Sequence, residues 1–182
     1  KKLNHIQKKA VVNILKGEAR PLPYIIFGPP GTGKTMTLIE VILQIICLLP
    51  NSRLLIATPS NSAANLLTDR LIKSGRFDPG SLTRLISVSH VNSGNLPDHL
   101  RPYCATLNVS LENTNYSKFH RSSDGLRYEC NKNMIGRQRI TIGTCVCLGS
   151  LVRMGFSAGH FTHLIIDEAG QATEPEIMIP LA

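Results

Sequence analysis

One short segment carries the residue types that hold phosphate groups. Gly28-Pro29-Pro30-Gly31-Thr32-Gly33-Lys34-Thr35 follows an apolar run at residues 24–27 and leads into a long helical pattern. A glycine, four further residues and then Gly-Lys-Thr is the spacing of a P-loop. Its glycines allow a tight turn whose N–H groups converge on phosphate oxygens at the start of the next helix, where the helix dipole favours negative charge. The segment therefore predicts a nucleotide-phosphate site.

Within this loop, Lys34 is expected to bring positive charge to the β- and γ-phosphates, and we count it as catalytic. The Thr35 hydroxyl is placed to bind Mg²⁺. The residues expected to hold the nucleotide are Gly28, Pro29, Pro30, Gly31, Thr32, Gly33, Lys34, Thr35 and Met36.

Two adjacent acids end an apolar run late in the chain. Leu164-Ile165-Ile166 is followed by Asp167 and Glu168, and adjacent residues of an extended chain point in opposite directions. We therefore expect Asp167 to hold Mg²⁺, and Glu168 to orient and deprotonate the water that attacks the γ-phosphate. Together with a P-loop, this acidic pair predicts hydrolysis of a nucleoside triphosphate.

Other classes of P-loop protein carry signatures that this sequence lacks. A GTPase needs an Asn-Lys-x-Asp motif, and the nearest string, Asn131-Lys132-Asn133-Met134, has no aspartate. The Leu-Ser-Gly-Gly signature of transporter ATPases is absent from the sequence, and small-molecule kinases usually lack the paired Asp-Glu. A nucleic-acid-dependent ATPase is what remains.

The elements that must position these residues alternate between apolar runs and helical patterns. Strands are predicted at residues 24–27, 54–58, 84–88, 140–144 and 163–167, and helices at residues 34–49 and 61–73. This alternation favours an α/β fold, a P-loop parallel sheet with helices on both faces. Ligands bind such sheets at the carboxyl ends of the strands, and both phosphate-type motifs lie there. We expect a single domain over residues 1–182.

Residues 90–139 break the pattern, with prolines and glycines scattered among polar residues. We interpret them as an inserted, partly helical subdomain with one or two short helices and some mobile chain, because structureless loops of this length are rare in compact domains. Residues 101–139 carry seven Lys or Arg against three Asp or Glu. Both a solvated loop and a nucleic-acid contact fit this basic surface.

Composition agrees with a basic protein that has one real core. The chain has 182 residues, 42% of them hydrophobic, and a net charge of +8, which points to an anionic partner such as nucleic acid. Its five cysteines have no zinc-type spacing and are expected to be reduced thiols. The most apolar segment, residues 36–49, is too short to span a bilayer, so we expect no membrane segment.

Taken together, the motifs resemble those of superfamily 1 RNA helicases of the up-frameshift type, in the Armitage and silencing-defective branch. Leu3-Asn4-His5-Ile6-Gln7 resembles the Q motif of that family, and residues 57–64 resemble motif Ia. Residues 140–145 resemble motif Ic, and residues 167–176 resemble motif II. The resemblance covers nearly the whole chain, although residues 90–139 match the family only by position.

The resemblance implies roles for particular side chains. Gln7 would read adenine, and its amide suits that edge because it offers a donor and an acceptor. Pro59, Ser60 and Asn61 of motif Ia would grip the nucleic-acid backbone, although helix capping alone would also explain Ser60 and Asn61. Thr144 of motif Ic is the implied RNA contact.

In motif II, the resemblance implies that Gln171 senses the γ-phosphate, and we count it as catalytic with Glu168 and Lys34. The family fold is a RecA-like domain, the first of two, with ATP and Mg²⁺ as cofactors and single-stranded RNA as partner. The 182 residues contain no Gly-Asp-x-x-Gln motif III and no second RecA-like domain with arginine fingers. We therefore expect a second RecA-like domain of a longer chain as partner, and almost negligible ATP hydrolysis without it.

The Armitage-type branch further implies a role in small-RNA or piRNA silencing in the cytoplasm, in ribonucleoprotein granules and with silencing proteins as partners. Two alternatives stay open. A DNA or RNA-DNA helicase of the same superfamily fits as well, since phosphate-gripping loops do not read a 2′-hydroxyl. The other alternative is a nucleotide-gated RNA clamp or scaffold.

Overall fold

The computed structural model describes residues 3–107, 119–120, 127–130 and 132–181. Its α-helices are α1 (His5–Lys16), α2 (Lys34–Leu48), α3 (Asn61–Ile72), α4 (Val88–Asn92), α5 (Lys132–Arg137), α6 (Cys145–Arg153) and α7 (Glu174–Met178). Its strands are β1 (Leu54–Thr58), β2 (Leu82–Ile86), β3 (Cys104–Leu107), β4 (Phe119–His120), β5 (Arg127–Cys130), β6 (Ile140–Thr144) and β7 (His163–Ile166). Short 3₁₀ helices occupy Asp98–Tyr103, Ala169–Gln171 and Ile179–Leu181.

Two compact units make up the chain, Lys1–Ser52 and Arg53–Ala182. The first unit holds α1, the P-loop and α2. A capping box between Asn4 and Gln7 starts α1, and Gly17 ends it in the left-handed conformation with φ 70°, which glycine adopts without strain. Helix α2 follows the P-loop directly and buries Ile39, Ile42 and Ile45.

The strand predicted at residues 24–27 is wrong. This segment is irregular, and the side chains of Ile25 and Phe27 are 78% and 94% exposed. An apolar run becomes a strand only where a neighbouring strand supplies hydrogen-bond partners. Prolines at positions 21, 23, 29 and 30 flank the segment and remove backbone donors on both sides of it.

The second unit is built on a parallel sheet. The described strands have the order β4-β5-β3-β2-β6-β1-β7, and every neighbouring pair is parallel except β4 with β5. The strands predicted at residues 54–58 and 140–144 form with those bounds as β1 and β6. Strand β2 lies two residues earlier than the predicted 84–88, because Ser87 already caps α4.

Helices cover both faces of this sheet. Leu55, Ala57 and Leu85 pack in one cluster with Leu148 and Leu151 of α6. The alternate residues of β1 and β2 point to the opposite face, which is where Asn61 and Asn65 of α3 meet the side chain of Arg84. The predicted α/β architecture is therefore confirmed. No helix in the described part of the chain is long and apolar enough to cross a membrane.

The described part of residues 90–139 contains more than the short helices expected there. It includes a 3₁₀ helix and α5, but β3 pairs with β2 and β5 pairs with β3, so these strands extend the parallel sheet. Strands of four residues among prolines and polar residues carry too little periodicity to be read from the sequence. The boundary of the inserted subdomain stays a prediction, and the mobile chain expected within it falls on residues outside the described ones.

Candidate nucleotide and nucleic-acid site

In the first unit, the P-loop turns on two glycines with left-handed backbone conformations, Gly31 at φ 81° and Gly33 at φ 86°. Gly33 is also the N-cap of α2, and no side chain caps that helix. The first turn of α2 contains no acidic residue, and its backbone donors therefore present positive potential without a competing carboxylate. The loop and the helix start fit the phosphate groups of a nucleotide.

Lys34 opens α2 and folds back over the loop. Its Nζ donates to the carbonyl oxygens of Gly28 at 2.7 Å and Pro29 at 3.1 Å. The Thr32 hydroxyl donates to the same Pro29 oxygen at 2.8 Å. The ammonium group therefore lies over the loop, held by neutral carbonyls that phosphate oxygens would replace as stronger partners.

Gln7 reaches the P-loop from α1 across 25 residues of sequence. Its Nε2 donates to the Thr32 carbonyl oxygen at 3.1 Å, and its Oε1 accepts from the Asn4 backbone N–H at 2.9 Å. A Cβ on Gly33 would lie 2.7 Å from Gln7 Nε2, which shows how closely the amide approaches the loop. The structure thus brings the residue predicted to read adenine to the predicted phosphate loop, while adenine recognition itself stays a prediction.

The other members of the predicted nucleotide set lie where the loop and helix place them. Pro29 and Pro30 are exposed, and Thr35 and Met36 are half-buried in the first turn of α2. Their contacts with ATP or Mg²⁺ remain predictions.

In the second unit, three adjacent strands end side by side. The register of β1 with β6 pairs Thr58 with Thr144, and the register of β1 with β7 pairs Ala57 with Ile166. Beyond Ile166, the Asp167 N–H donates to the Ala57 carbonyl oxygen at 3.0 Å. The residues predicted from motifs Ia, Ic and II therefore share one edge of the sheet.

The acidic pair is held in a tight turn. Asp167 is 8% exposed, and its Oδ1 accepts from the Glu168 N–H at 3.1 Å. Glu168 has φ 57°, the left-handed region, and is the one non-glycine residue with positive φ among the described residues. Such a conformation costs about 1–2 kcal/mol, and backbone strain of this kind is typical of functional sites.

Gln171 contacts the predicted base directly. Its Nε2 donates to Glu168 Oε2 at 3.1 Å, and its backbone N–H donates to the Glu168 carbonyl oxygen at 2.9 Å. Both side chains are exposed. In this geometry the amide of Gln171 orients the carboxylate of Glu168, whereas contact with a γ-phosphate stays a prediction.

The predicted nucleic-acid residues double as helix caps. Ser60 caps α3, since its Oγ accepts from the Ala63 N–H at 3.2 Å, and Thr144 caps α6 by accepting from the Cys147 N–H at 3.2 Å. Asn61 is the first helical residue rather than the cap, and Pro59 is half-buried beside it. Capping therefore explains Ser60 and Thr144 locally, and their contact with RNA stays a prediction.

Arg84 is a functional candidate that the sequence analysis missed. Its side chain is fully buried on β2, and its guanidinium donates to Asn61 Oδ1 at 2.8 Å, Asn65 Oδ1 at 3.3 Å and the Leu85 carbonyl oxygen. Burial lowers the pKa of this guanidinium. A charged residue in the middle of an apolar strand is the signal that could have drawn attention to it, because such residues are seldom fully buried.

Known proteins match the chain over its whole length. A family model described as an AAA domain matches residues 2–113 and 108–182. The chain is 50% identical over 98% of its length to "Probable RNA helicase armi" of Drosophila melanogaster and 42% identical over 98% to "RNA helicase Mov10l1" of Homo sapiens. It spans 15% and 13% of those two proteins. It is also 33% identical to "DNA polymerase alpha-associated DNA helicase A" of Schizosaccharomyces pombe, over 100% of the chain and 30% of that protein.

A solved structure shares the fold. The type ISP restriction-modification enzyme LlaGI, solved as a nuclease-deletion mutant with a DNA substrate mimic, superimposes with a TM-score of 0.59 at 18% identity, over 93% of this chain and 15% of that one. The described architecture is thus that of a known α/β fold. Because the family match runs from residue 2 to residue 182, the chain belongs to the AAA-domain family, and its sequence is similar to those of the RNA helicases armi and Mov10l1.

Proposed function

We propose that this chain is the ATP-binding domain of an ATP-dependent RNA helicase that moves along or remodels single-stranded RNA. The observation that carries the proposal is the shared sheet edge of the second unit. There, the acidic pair at the end of β7 adjoins the motif Ia loop after β1, and Thr144 lies in register with Thr58. The carboxylates proposed to act in hydrolysis therefore lie one strand away from the loop proposed to contact nucleic acid.

The P-loop fits ATP by its donors and by its shape. Lys34 and the uncapped start of α2 offer positive charge, and the two left-handed glycines bend the loop around that charge. Bound Mg²⁺-ATP would supply the γ-phosphoryl group that is transferred to water. In the proposed site, Lys34 holds the phosphates, Thr35 and Asp167 hold the metal ion, and Gln7 holds the adenine edge.

Glu168 would then accept a proton from water. Its carboxylate is exposed and is oriented by the amide of Gln171, the arrangement required of a base that must keep one direction toward its substrate. Because the chain spans 15% and 13% of armi and Mov10l1, we propose that a second RecA-like domain of a longer chain completes this site. On this view the chain alone turns over ATP almost negligibly.

The Armitage resemblance supports a finer proposal. We place the protein in small-RNA or piRNA silencing, in cytoplasmic ribonucleoprotein granules and with silencing proteins as partners. The similarity to a protein named a DNA helicase favours a second candidate, a DNA or RNA-DNA helicase. A nucleotide-gated RNA clamp would use the same sheet edge without unwinding.

ATP turnover by the chain extended through its second RecA-like domain tests the proposal. Turnover is measured alone, with single-stranded RNA and with DNA of matched sequence, and Glu168→Gln serves as the blank because it keeps the shape and removes the base. We expect stimulation by RNA that the blank lacks. Equal stimulation by DNA would support the second candidate, and the absence of stimulation by either polymer would contradict a motor and leave the clamp.

A further inference from the structure

A basic cleft lies at the edge of the sheet opposite to the motif Ia and Ic loops. Arg53 precedes β1, Arg137 precedes β6 and His160 precedes β7, so these side chains gather where three adjacent parallel strands begin. A strand of five residues spans about 16 Å. That length separates the cleft from Thr58 and Thr144, at which the nucleic-acid grip is predicted.

The cleft has a volume of about 490 Å³ and a lining without carboxylates. Lys132 and Arg137 supply its charge, and Phe156, Ser157 and His160 supply much of the remaining wall. None of the ion pairs within the described part of the chain involves Lys132, Arg137 or the neighbouring Arg53. Three cations therefore stand close together with their charges uncompensated.

Internal contacts hold this arrangement in place. The Nζ atom of Lys132 donates to the Gly155 carbonyl oxygen and lies 5.5 Å from the centroid of the Phe156 ring. That ring packs against His160 with centroids 4.6 Å apart. Arg53 Nε donates to the Gly136 carbonyl oxygen at 3.2 Å. Lys132 and Arg53 are thus fixed before any ligand arrives, which reduces the entropy lost on binding.

His160 provides an independent sign of a missing partner. Its Nε2 is buried and has no hydrogen-bond partner in the described structure, a situation that destabilises the folded state. Burial lowers the pKa of this imidazole, and the charges of Arg53 and Lys132 lower it further. An anion in the cleft would offer an acceptor to the ring N–H and would offset the repulsion among the cations.

We propose that the cleft binds a backbone phosphate of a nucleic-acid strand that continues beyond the motif Ia and Ic loops to the opposite edge of the sheet. The ammonium and guanidinium groups contact phosphate oxygens, with His160 as a third donor. Residues 101–139, which include Lys132 and Arg137, carry seven Lys or Arg against three Asp or Glu. This excess of positive charge in the sequence favours a polyanion over a single charged group. The identity of the strand rests on the proposed function, whereas the cleft itself does not.

Salt-dependent RNA binding by the full-length protein tests this site. Fluorescence anisotropy gives the Kd of a short oligouridylate of about 4 nucleotides, too short to reach from the motif Ia loop to the cleft, and of a long one of about 24 over a range of KCl concentrations. The test variant is Lys132→Gln/Arg137→Gln. The matched control is Arg76→Gln/Arg153→Gln, which likewise removes two exposed positive charges, both outside the cleft.

For the long RNA, we expect the test variant to weaken binding about 3- to 10-fold and to flatten the slope of log Kd against log[KCl] by about 1, as the loss of a phosphate contact requires. The short RNA and the control variant are expected to match the wild type. An unchanged slope with the long RNA would overturn the proposal, and so would an equal loss with both lengths, because the cleft would then not be a separate contact.

Two further measurements identify the occupant of the cleft and the part that His160 plays in holding it. If AMP competes with the long RNA in the wild type but not in the test variant, a free nucleotide is the occupant and the proposal is overturned. His160→Gln keeps a donor of similar reach and is expected to retain most of the affinity for the long RNA. His160→Leu has no donor and is expected to weaken binding of the long RNA. If the wild type binds neither RNA, the proposed function fails as a whole, which is distinct from failure of the cleft alone.

Discussion

Gly33 combines a left-handed backbone with a close neighbour. Its φ is 86°, and an added Cβ would lie 2.7 Å from Nε2 of Gln7. Gly31 has a similar φ of 81° but no atom within 4 Å of such a Cβ. A comparison of alanine substitutions at the two glycines therefore separates the cost of backbone strain from the cost of displacing the Gln7 amide.

Gly33→Ala is predicted to loosen base selectivity, whereas Gly31→Ala is not. Both variants carry backbone strain of about 1–2 kcal/mol, but only Gly33→Ala pushes away the amide that is proposed to read adenine. We expect the ratio of GTP to ATP dissociation constants to fall at least about fivefold, equivalent to about 1 kcal/mol. Titration with fluorescent analogues of both nucleotides measures this ratio. Equal ratios in the two variants would contradict a reading role for Gln7.

At the residue scale, the sequence was informative where a residue type has one common use. The spacing predicted the turn that Gly31 and Gly33 make, and the acidic pair was predicted together with that loop and lies at the end of a strand. The roles of these residues and of Lys34 toward ATP stay predictions. Two features did not follow from the spacing. The hydrogen bond from Gln171 to Glu168 depends on the 3₁₀ turn between them, and the partners of Arg84 come from a helix 19 and 23 residues earlier.

At the scale of elements, Arg84 joins β2 to the start of α3. Replacing it with Met would leave the side-chain oxygens of Asn61 and Asn65 without their donor, and buried acceptors without partners are costly. We expect Arg84→Met to lower the free energy of unfolding by about 2–4 kcal/mol.

Urea denaturation measures this loss. Arg84→Lys keeps the charge but cannot donate to several acceptors from one fork, so it is expected to recover only part of the stability. Arg76→Met serves as the control because Arg76 is exposed. If Arg76→Met and Arg84→Met cost the same, Arg84 does not anchor α3.

Thr144 caps α6 and is also the predicted RNA contact, and one substitution separates these roles. Aspartate is an equally good N-cap, so Thr144→Asp keeps the helix but places a negative charge where a phosphate is expected. We predict unchanged thermal stability and RNA affinity lowered about tenfold, or about 1.4 kcal/mol. Asn51→Asp, at an exposed turn before β1, controls for the added charge. Unchanged RNA affinity in Thr144→Asp would show that Thr144 is a cap only.

Strands were predicted correctly where an apolar run in the sequence also pairs with a neighbouring strand in the structure. Strands β1 and β6 lie next to each other with both faces covered, and their apolar runs gave the correct bounds. Residues 24–27 have the same apolar character, yet no described strand pairs with them. Strand formation depends on a partner in space, and that information is not local to the segment.

At the scale of the molecule, residues predicted to bind nucleotide or metal occur in each compact unit. The P-loop and Gln7 lie in the first unit, and Asp167, Glu168 and Gln171 lie in the second. The β-α-β alternation was sufficient to predict the α/β class, because burial on both faces of a parallel sheet shapes the whole sequence. It was not sufficient to show that β3 and β5 widen the sheet, since short strands depend on contacts distant in sequence.

We propose that Lys34 and Asp167 act on one bound Mg²⁺-ATP. A double-mutant cycle on the affinity for this nucleotide tests it most directly, with Lys34→Ala, Asp167→Asn and the combination compared in the full-length protein. Groups that share a ligand couple by about 0.5–3 kcal/mol, whereas independent sites add within about 0.5 kcal/mol. We predict coupling of at least about 1 kcal/mol that disappears when Mg²⁺ is removed. Additive effects, with or without Mg²⁺, would contradict the proposal that Lys34 and Asp167 act on the same nucleotide.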